Sequence, residues 1–448
     1  MQKFLYGFTL IFLLNACHSN SSSQPEENKI MDTIDWIKST NVYEVNVRQY
    51  TKEGTFNAFA KDLPRLKEMG VKTLWFMPIT PIAQKKKKGE LGSYYAAADY
   101  TAINPEFGTL DDFKNLVKDA HGQGFKVIID WVANHTGWDH RWTKEHPDYF
   151  EKDSITNDFK VASGMDDIIE LDFKNTSLRK AMIDAMKFWI QEADIDGFRC
   201  DLAFWVELDF WKEAKTELHK IKPLFWLGEL DPLEHPEYME VFDAAYTWTW
   251  MHRTKEFYEK KLPLDSLHVV LEKYKRAPGM KAWFTTNHDE NSWNGTEYEK
   301  YGGAAKALAV FSCTWPGLPL IYNGQEMPNL KRLKFFEKDA IEWNGKYELQ
   351  QFYKTLLTLH SNHPALVATN GVEKIKTSDD AHIFAYLRKG GNKEVFVLLN
   401  LSPNRVRFDL LENTVIGQFK NVFSAAPNDF TIEKSFEMVG WEFLVYEK

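Results

Sequence analysis

Asp201, Glu229 and Asp289 each close a short run of aromatic and apolar residues: Asp196-Gly-Phe-Arg-Cys-Asp201, Phe225-Trp-Leu-Gly-Glu229 and Ala282-Trp-Phe-Thr-Thr-Asn-His-Asp289. A polar residue at the C-terminal lip of an apolar strand is the pattern by which a barrel of alternating strands and helices presents its chemistry. Converging carboxyls suit glycosidic bond cleavage, in which one carboxyl acts as acid and another as nucleophile. Arg199 stands two residues before Asp201 and therefore on the same side of a strand, where its guanidinium can keep that carboxylate ionised. An Arg–Asp pair is as often a structural ion pair, and a Glu at a strand end is often only a surface group. The surrounding elements have to decide.

Those elements alternate from about residue 40. Strands are predicted at 42–47, 73–77, 126–132, 196–201, 225–230, 244–250, 281–287 and 318–322. Helices are predicted at 56–69, 110–122, 177–193, 208–218, 264–274, 304–313 and 349–360. Repeated strand–helix alternation argues for a parallel sheet, and eight rounds for closure, so the fold class is an α/β (β/α)8 TIM barrel. Residues 136–172 are less periodic and read as a reduced inserted domain after strand three. Past Pro364, apolar runs at 383–387, 394–400, 406–410 and 441–446 are separated by Gly390, Gly391, Pro403 and Asn404. They predict a C-terminal antiparallel β domain over 364–448, a β-sandwich, behind a catalytic barrel at 36–363.

The whole chain has 448 residues, enough for a large barrel and an appendix. Its net charge of -9 gives no support to nucleic-acid binding, which asks for a basic face. The one basic run, Lys85 to Lys88, reads as a solvated loop. Aromatic residues make up 15% of the chain, with 16 Trp, compatible with stacking on sugar rings, although barrel cores use the same residues.

At the N-terminus, Lys3 precedes an apolar stretch at 4–14 that is too short to span a bilayer. Leu14-Asn15-Ala16-Cys17 follows at once and resembles the lipobox of bacterial lipoproteins. It predicts a signal peptide at 1–17, lipidation of Cys17, a flexible tether at 18–35, and an exported, membrane-anchored protein facing the periplasm or the cell surface. An ordinary secretory signal with an incidental Cys is the alternative. Cys200 and Cys313 lie in apolar runs and read as buried free thiols.

Six stretches, in this order and on these strands, resemble the α-amylase family of retaining glycoside hydrolases: Gly92-Ser-Tyr-Tyr-Ala-Ala-Ala-Asp-Tyr100, Asp130-Trp-Val-Ala-Asn-His135, Asp196 to Asp201, Gly228-Glu229, Thr286-Asn-His-Asp289 and Gly317-Leu-Pro-Leu-Ile-Tyr-Asn-Gly-Gln-Glu326. The resemblance implies Asp201 as nucleophile, Glu229 as acid and then base with a raised pKa, and Asp289 as transition-state stabiliser. It implies Arg199, His135 and His288 in substrate binding, and Tyr95 stacked under the sugar before the cut, with Tyr94 the neighbour open to confusion.

The implied reaction is retaining hydrolysis of α-1,4-glucosidic bonds in starch, glycogen or maltooligosaccharides, with no cofactor for the chemistry. A glucanotransferase or an exo-acting α-glucosidase would use the same site. A non-catalytic glycan-binding lipoprotein is disfavoured by the intact acidic residues. Asn134 and Glu170 match positions of a structural calcium in relatives, but two ligands fall short of the six to eight oxygens calcium takes. After Asp201 the chain reads Leu202-Ala-Phe-Trp205, where many relatives carry a Lys-His pair, which leaves acceptor-side contacts open. The oligomeric state is open as well.

Overall fold

A computed structural model describes residues 34–448. The expected signal segment, Cys17 and the tether up to residue 33 lie outside the described residues.

Eight parallel strands close into a barrel in sequence order: β1 (Val42–Val45), β2 (Thr73–Phe76), β3 (Lys126–Trp131), β4 (Gly197–Cys200), β5 (Phe225–Gly228), β6 (Ala244–Tyr246), β7 (Met280–Trp283) and β8 (Leu318–Tyr322). Each strand is buried on both faces, as helices outside and side chains inside require. Alternation sorts the residues. Tyr43 and Val45 pack outward under the helices, whereas Val42, Trp75, Ile128, Phe225, Leu227, Ala244 and Leu318 fill the barrel interior. Continuing the interior parity toward the C-terminal lip gives Glu44, Asp130, Arg199, Asp201 and Glu229. The barrel is thus apolar below and charged at the mouth.

Gly197 opens β4 because no side chain fits there. A Cβ at Gly197 would lie 2.1 Å from the Phe225 carbonyl oxygen of β5.

Three expected elements end differently. The helix at 56–69 is two helices, Phe56–Ala60 and Leu63–Met69. Pro64 has no N–H to continue the first ladder and suits the first turn of a new helix. Strand six stops at Tyr246 and helix Trp248–Tyr258 begins, so apolar content at 244–250 concealed a change of period. Strand seven stops at Trp283, which leaves Asp289 at the start of the helical turn Glu290–Asn294 and not at a strand end.

The segment after β3 is held by a short antiparallel pair, His135–Gly137 with Ile168–Glu170. The C-terminal region is antiparallel throughout, one sheet of six strands and one of two, enclosing an apolar cluster around Phe396, Phe408 and Phe430. Cys200 and Cys313 are both free and buried. The basic loop is engaged and not simply solvated: Lys86 Nζ lies 3.3 Å above the Trp138 ring, and Lys88 pairs with Asp167 at 2.7 Å.

Candidate active site

Arg199 organises the mouth of the barrel. β3 and β4 pair with Asp130 beside Arg199. β4 and β5 pair with Cys200 beside Gly228, so the next residues along the two strands, Asp201 and Glu229, emerge side by side. Arg199 Nη1 donates to Asp130 Oδ1 at 2.8 Å and to Asp201 Oδ1 at 2.9 Å. Nη2 lies 2.9 Å from Glu229 Oε2, but its N–H bonds miss that oxygen, so the contact is an ion pair without a hydrogen bond. Glu229 Oε2 instead accepts the Leu202 backbone N–H at 2.9 Å. That N–H is aimed by a left-handed turn at Leu202, φ 40° and ψ 48°, a conformation unusual for a branched side chain.

The charges divide in a way the sequence did not suggest. Burial opposes the charge on Arg199, but Asp130 and Glu229 outweigh it and keep the guanidinium protonated. For Asp201 the balance runs the other way. Burial, and then the neighbouring Glu229 carboxylate, push its pKa well up, against the pull of Arg199. The expectation that Arg199 can keep Asp201 ionised meets an opposing balance here, since one guanidinium is shared among three carboxyls. Ionisation of Asp201 beside the Glu229 carboxylate is opposed, and a retaining mechanism needs one proton between its two carboxyls at the start.

Tyr95, not Tyr94, reaches this centre. Its hydroxyl donates to Asp130 Oδ2 at 3.0 Å and lies 2.9 Å from His288 Nε2, with the two rings stacked at 5.5 Å. Tyr94 lies under the Arg48 guanidinium, 4.3 Å from its ring centroid. His288 Nε2 lies 3.2 Å from Asp289 Oδ2. Burial works against ionisation of Asp289, but His288 outweighs it and lowers its pKa. The Asp289 side chain keeps 36% of its surface exposed, the most open of the acidic groups. His135 is buried and held neutral by that burial, its pKa lowered to about 4. Its Nε2 is buried and has no hydrogen-bond partner among the described residues.

The two expected calcium ligands do not gather a site. The Glu170 carboxylate is taken by Lys160 Nζ at 2.8 Å, and that ammonium also holds Glu151 at 2.6 Å. Asn134 contacts His135 Nδ1 at a long 3.4 Å. Among the described residues no cluster of three or more His, Cys, Asp or Glu could hold a metal.

Two groups at the centre were not singled out from sequence. Asp130 binds Arg199, Tyr95 and, at 3.2 Å, the Trp75 indole N–H. Glu44 binds His288. A charged residue in the middle of each buried strand run was the available signal. Beyond them, Trp293, 53% exposed, packs 5.4 Å from Phe335, which is near-parallel to Tyr95 at 6.2 Å, an aromatic wall beside Asp289.

A closed barrel whose mouth holds three carboxyls on one arginine defines a class, and comparison with known proteins supplies the family. The family model described as the alpha amylase catalytic domain matches residues 33–167 and 148–365. The solved structure of a maltogenic alpha-amylase from Thermotoga neapolitana is 30% identical, with TM-score 0.83 over 92% of this chain and 99% of that one. Alpha-amylase 2 of Dictyoglomus thermophilum is 23% identical over 87% of this chain and 73% of its own length. Neopullulanase 2 of Thermoactinomyces vulgaris is 26% identical over 83% and 71%. The chain belongs to the α-amylase family of glycoside hydrolases, and it is an enzyme whose chemistry requires no cofactor.

Proposed function

We propose that the protein cleaves α-1,4-glucosidic bonds in starch, glycogen or maltooligosaccharides by double displacement. Asp201 attacks the anomeric carbon while Glu229 protonates the leaving oxygen. Glu229 then takes a proton from water as the glycosyl–Asp201 ester is hydrolysed. Asp289 stabilises the oxocarbenium-like charge in the transition state of each step, and Tyr95, His135, Arg199 and His288 bind the sugar at the cut.

The observation that carries this reading is the attachment of Asp201 and Glu229 to one guanidinium, each at 2.9 Å. Such closeness supports the retaining spacing of about 5–5.5 Å over the wider gap an inverting enzyme needs for water. NMR of the first product released from maltooligosaccharide is expected to show the α-anomer. Initial release of the β-anomer would overturn both the stereochemistry and the role given to Asp201.

A second reading, action on short oligosaccharides with transfer or exo cleavage, is favoured by two details. Relatives with similar identity are named maltogenic alpha-amylase and neopullulanase. The acceptor side carries Phe204 stacked on His235, 4.4 Å apart, in place of a Lys-His pair. Product sizing on starch, pullulan and maltotriose separates the readings.

We also propose that the enzyme is exported and held at a membrane through lipid on Cys17, supported by the short apolar run that ends there. Cys17→Ser is expected to move the protein to the soluble fraction. Continued co-sedimentation of that variant with membranes sinks the proposal.

A further inference from the structure

Glu44 sits at the centre of β1, wholly buried, in a barrel position where its neighbours Val42 and Trp75 are apolar. A carboxylate there is costly unless something specific uses it. Its Oε1 receives the His288 Nδ1–H in a short contact and, more weakly, the His288 backbone N–H at 3.4 Å. Its Oε2 has no hydrogen-bond partner among the described residues. Nothing in the reaction as described above gives this group a task.

The donors and acceptors around His288 define its state. Burial pushes the Glu44 pKa up against the pull of His288 and Arg199; as the carboxylate of its ion pair with His288 it can only accept, so Nδ1 carries a proton. On the other side, Nε2 faces Tyr95 from the loop after β2 and Asp289, the next residue along its own helical turn. The one Tyr95 hydroxyl proton is already given to Asp130. Both groups facing Nε2 are therefore acceptors: Nε2–H donates to the Tyr95 oxygen, and Asp289 meets the ring as an ion pair without a hydrogen bond. Two donating ring nitrogens make an imidazolium. Trp75 and Phe335 close the remaining sides with ring edges and faces and bring no charge, while Asp130 and Arg199 lie one contact further away.

We propose that Glu44 is a positioning residue for catalysis: it holds His288 as a fixed imidazolium whose Nε2–H donates to Tyr95 and whose charge, 3.2 Å from Asp289 Oδ2, orients Asp289, and the sugar hydroxyls Asp289 grips, for the transition state. The titration environment agrees, since burial disfavours the His288 charge but Asp289 and Glu44 together raise its pKa well above the usual range. The proposal rests on the role given to Asp289, and its test separates the two.

The test has two arms. In wild-type enzyme labelled with 15N-histidine, the His288 ring, assigned by loss of its signals in His288→Ala, is expected to show both nitrogens protonated from pH 6 to pH 9. This arm reads the protonation state without turnover, so it is independent of what Asp289 does. The second arm is Glu44→Gln, which keeps an oxygen to accept Nδ1–H and removes the charge. Its His288 is expected to lose the Nε2 proton within the working pH range. kcat is then expected to fall about 10- to 100-fold at pH 8, the scale of a lost transition-state donor. The loss should be several-fold smaller at pH 5.5, with KM changed less than kcat and the basic limb of the kcat profile moved to lower pH. A carboxylate that merely packed would lower kcat equally at all pH values. Such a uniform loss, or a neutral His288 in the wild type at neutral pH, would overturn the proposal. If Glu44→Gln does not fold, the wild-type NMR arm decides alone. If Asp289→Asn leaves turnover intact while His288 is an imidazolium, the role of Asp289 fails and the charge assignment stands.

Discussion

Asp201→Asn is expected to abolish turnover on glucan, by about 10⁴-fold or more, the scale on which loss of a covalent nucleophile acts. The amide cannot form the ester with the anomeric carbon. The fold is expected to survive, and the reason is in the charge balance. Asp201 is pushed toward its neutral form by burial and by Glu229. A neutral isostere relieves that repulsion while Asp130 remains on the Arg199 guanidinium. The melting temperature is therefore expected to stay level or rise, the usual exchange of stability for function at a strained site.

Glu229→Gln gives the complementary pattern. Turnover on glucan is expected to drop about 10²- to 10⁴-fold, the contribution of a positioned acid–base group. With an activated aryl or fluoride leaving group, which needs little protonation, the first step is expected to persist and the glycosyl–Asp201 ester to accumulate. Mass spectrometry of the intact protein reads the adduct directly. An adduct in Asp201→Asn, or none in Glu229→Gln with the fluoride, would reverse the assignments.

Arg199→Met carries the second large effect, and it falls on stability as well as rate. The guanidinium is fully buried against Asp130, Asp201 and Glu229. Removing it leaves carboxyls facing one another in a site from which water is largely excluded. Loss of one partner from a buried ionic cluster costs about 3–5 kcal/mol, because the remaining charge is uncompensated.

The loss should depend on pH. Asp130 and Asp201 already have raised pKa values in the presence of the arginine, and its removal raises them further. A raised folded-state pKa means the folded protein binds more protons than the unfolded chain. That contribution is full below the unfolded carboxyl pKa, about 4, and is lost as pH rises through the folded value. Urea unfolding of the variant should thus show a larger deficit at pH 8 than at pH 5. A deficit under 1 kcal/mol at pH 8 would mean that the arginine is not what compensates the carboxyls.

How much of this was legible beforehand follows from the distances along the chain over which each feature is decided. The strand–helix alternation, the charged lip and the pairing of Arg199 with Asp201 are local. They depend on a side-chain period of two and on residues one strand apart, and a single chain displays that order directly. The order of six matching stretches carried the family for the same reason.

Boundaries were less legible where apolar content is the same in both states. The stretch at 244–250 is strand and then helix, and Pro64 divides a helix whose hydrophobic period runs straight through it. Which of two adjacent tyrosines enters the site was implied only by the resemblance, which pointed to Tyr95, and by no local period. Tyr94 and Tyr95 follow a loop whose path is set by packing under Arg48, not by any period.

The contacts that fix the electrostatics are the most remote. Glu44 and His288 are separated by 244 residues and meet only because the barrel closes, setting β1 against β8 and the loop after β7 over both. A charge in a buried strand was visible in the sequence; its partner was not. Sequence determines which ionisable groups reach the mouth of this barrel. Closure decides which of them share a proton, because a carboxyl's ionisation depends on the dielectric and the charges within a few ångströms, and those neighbours come from strands far apart in the chain.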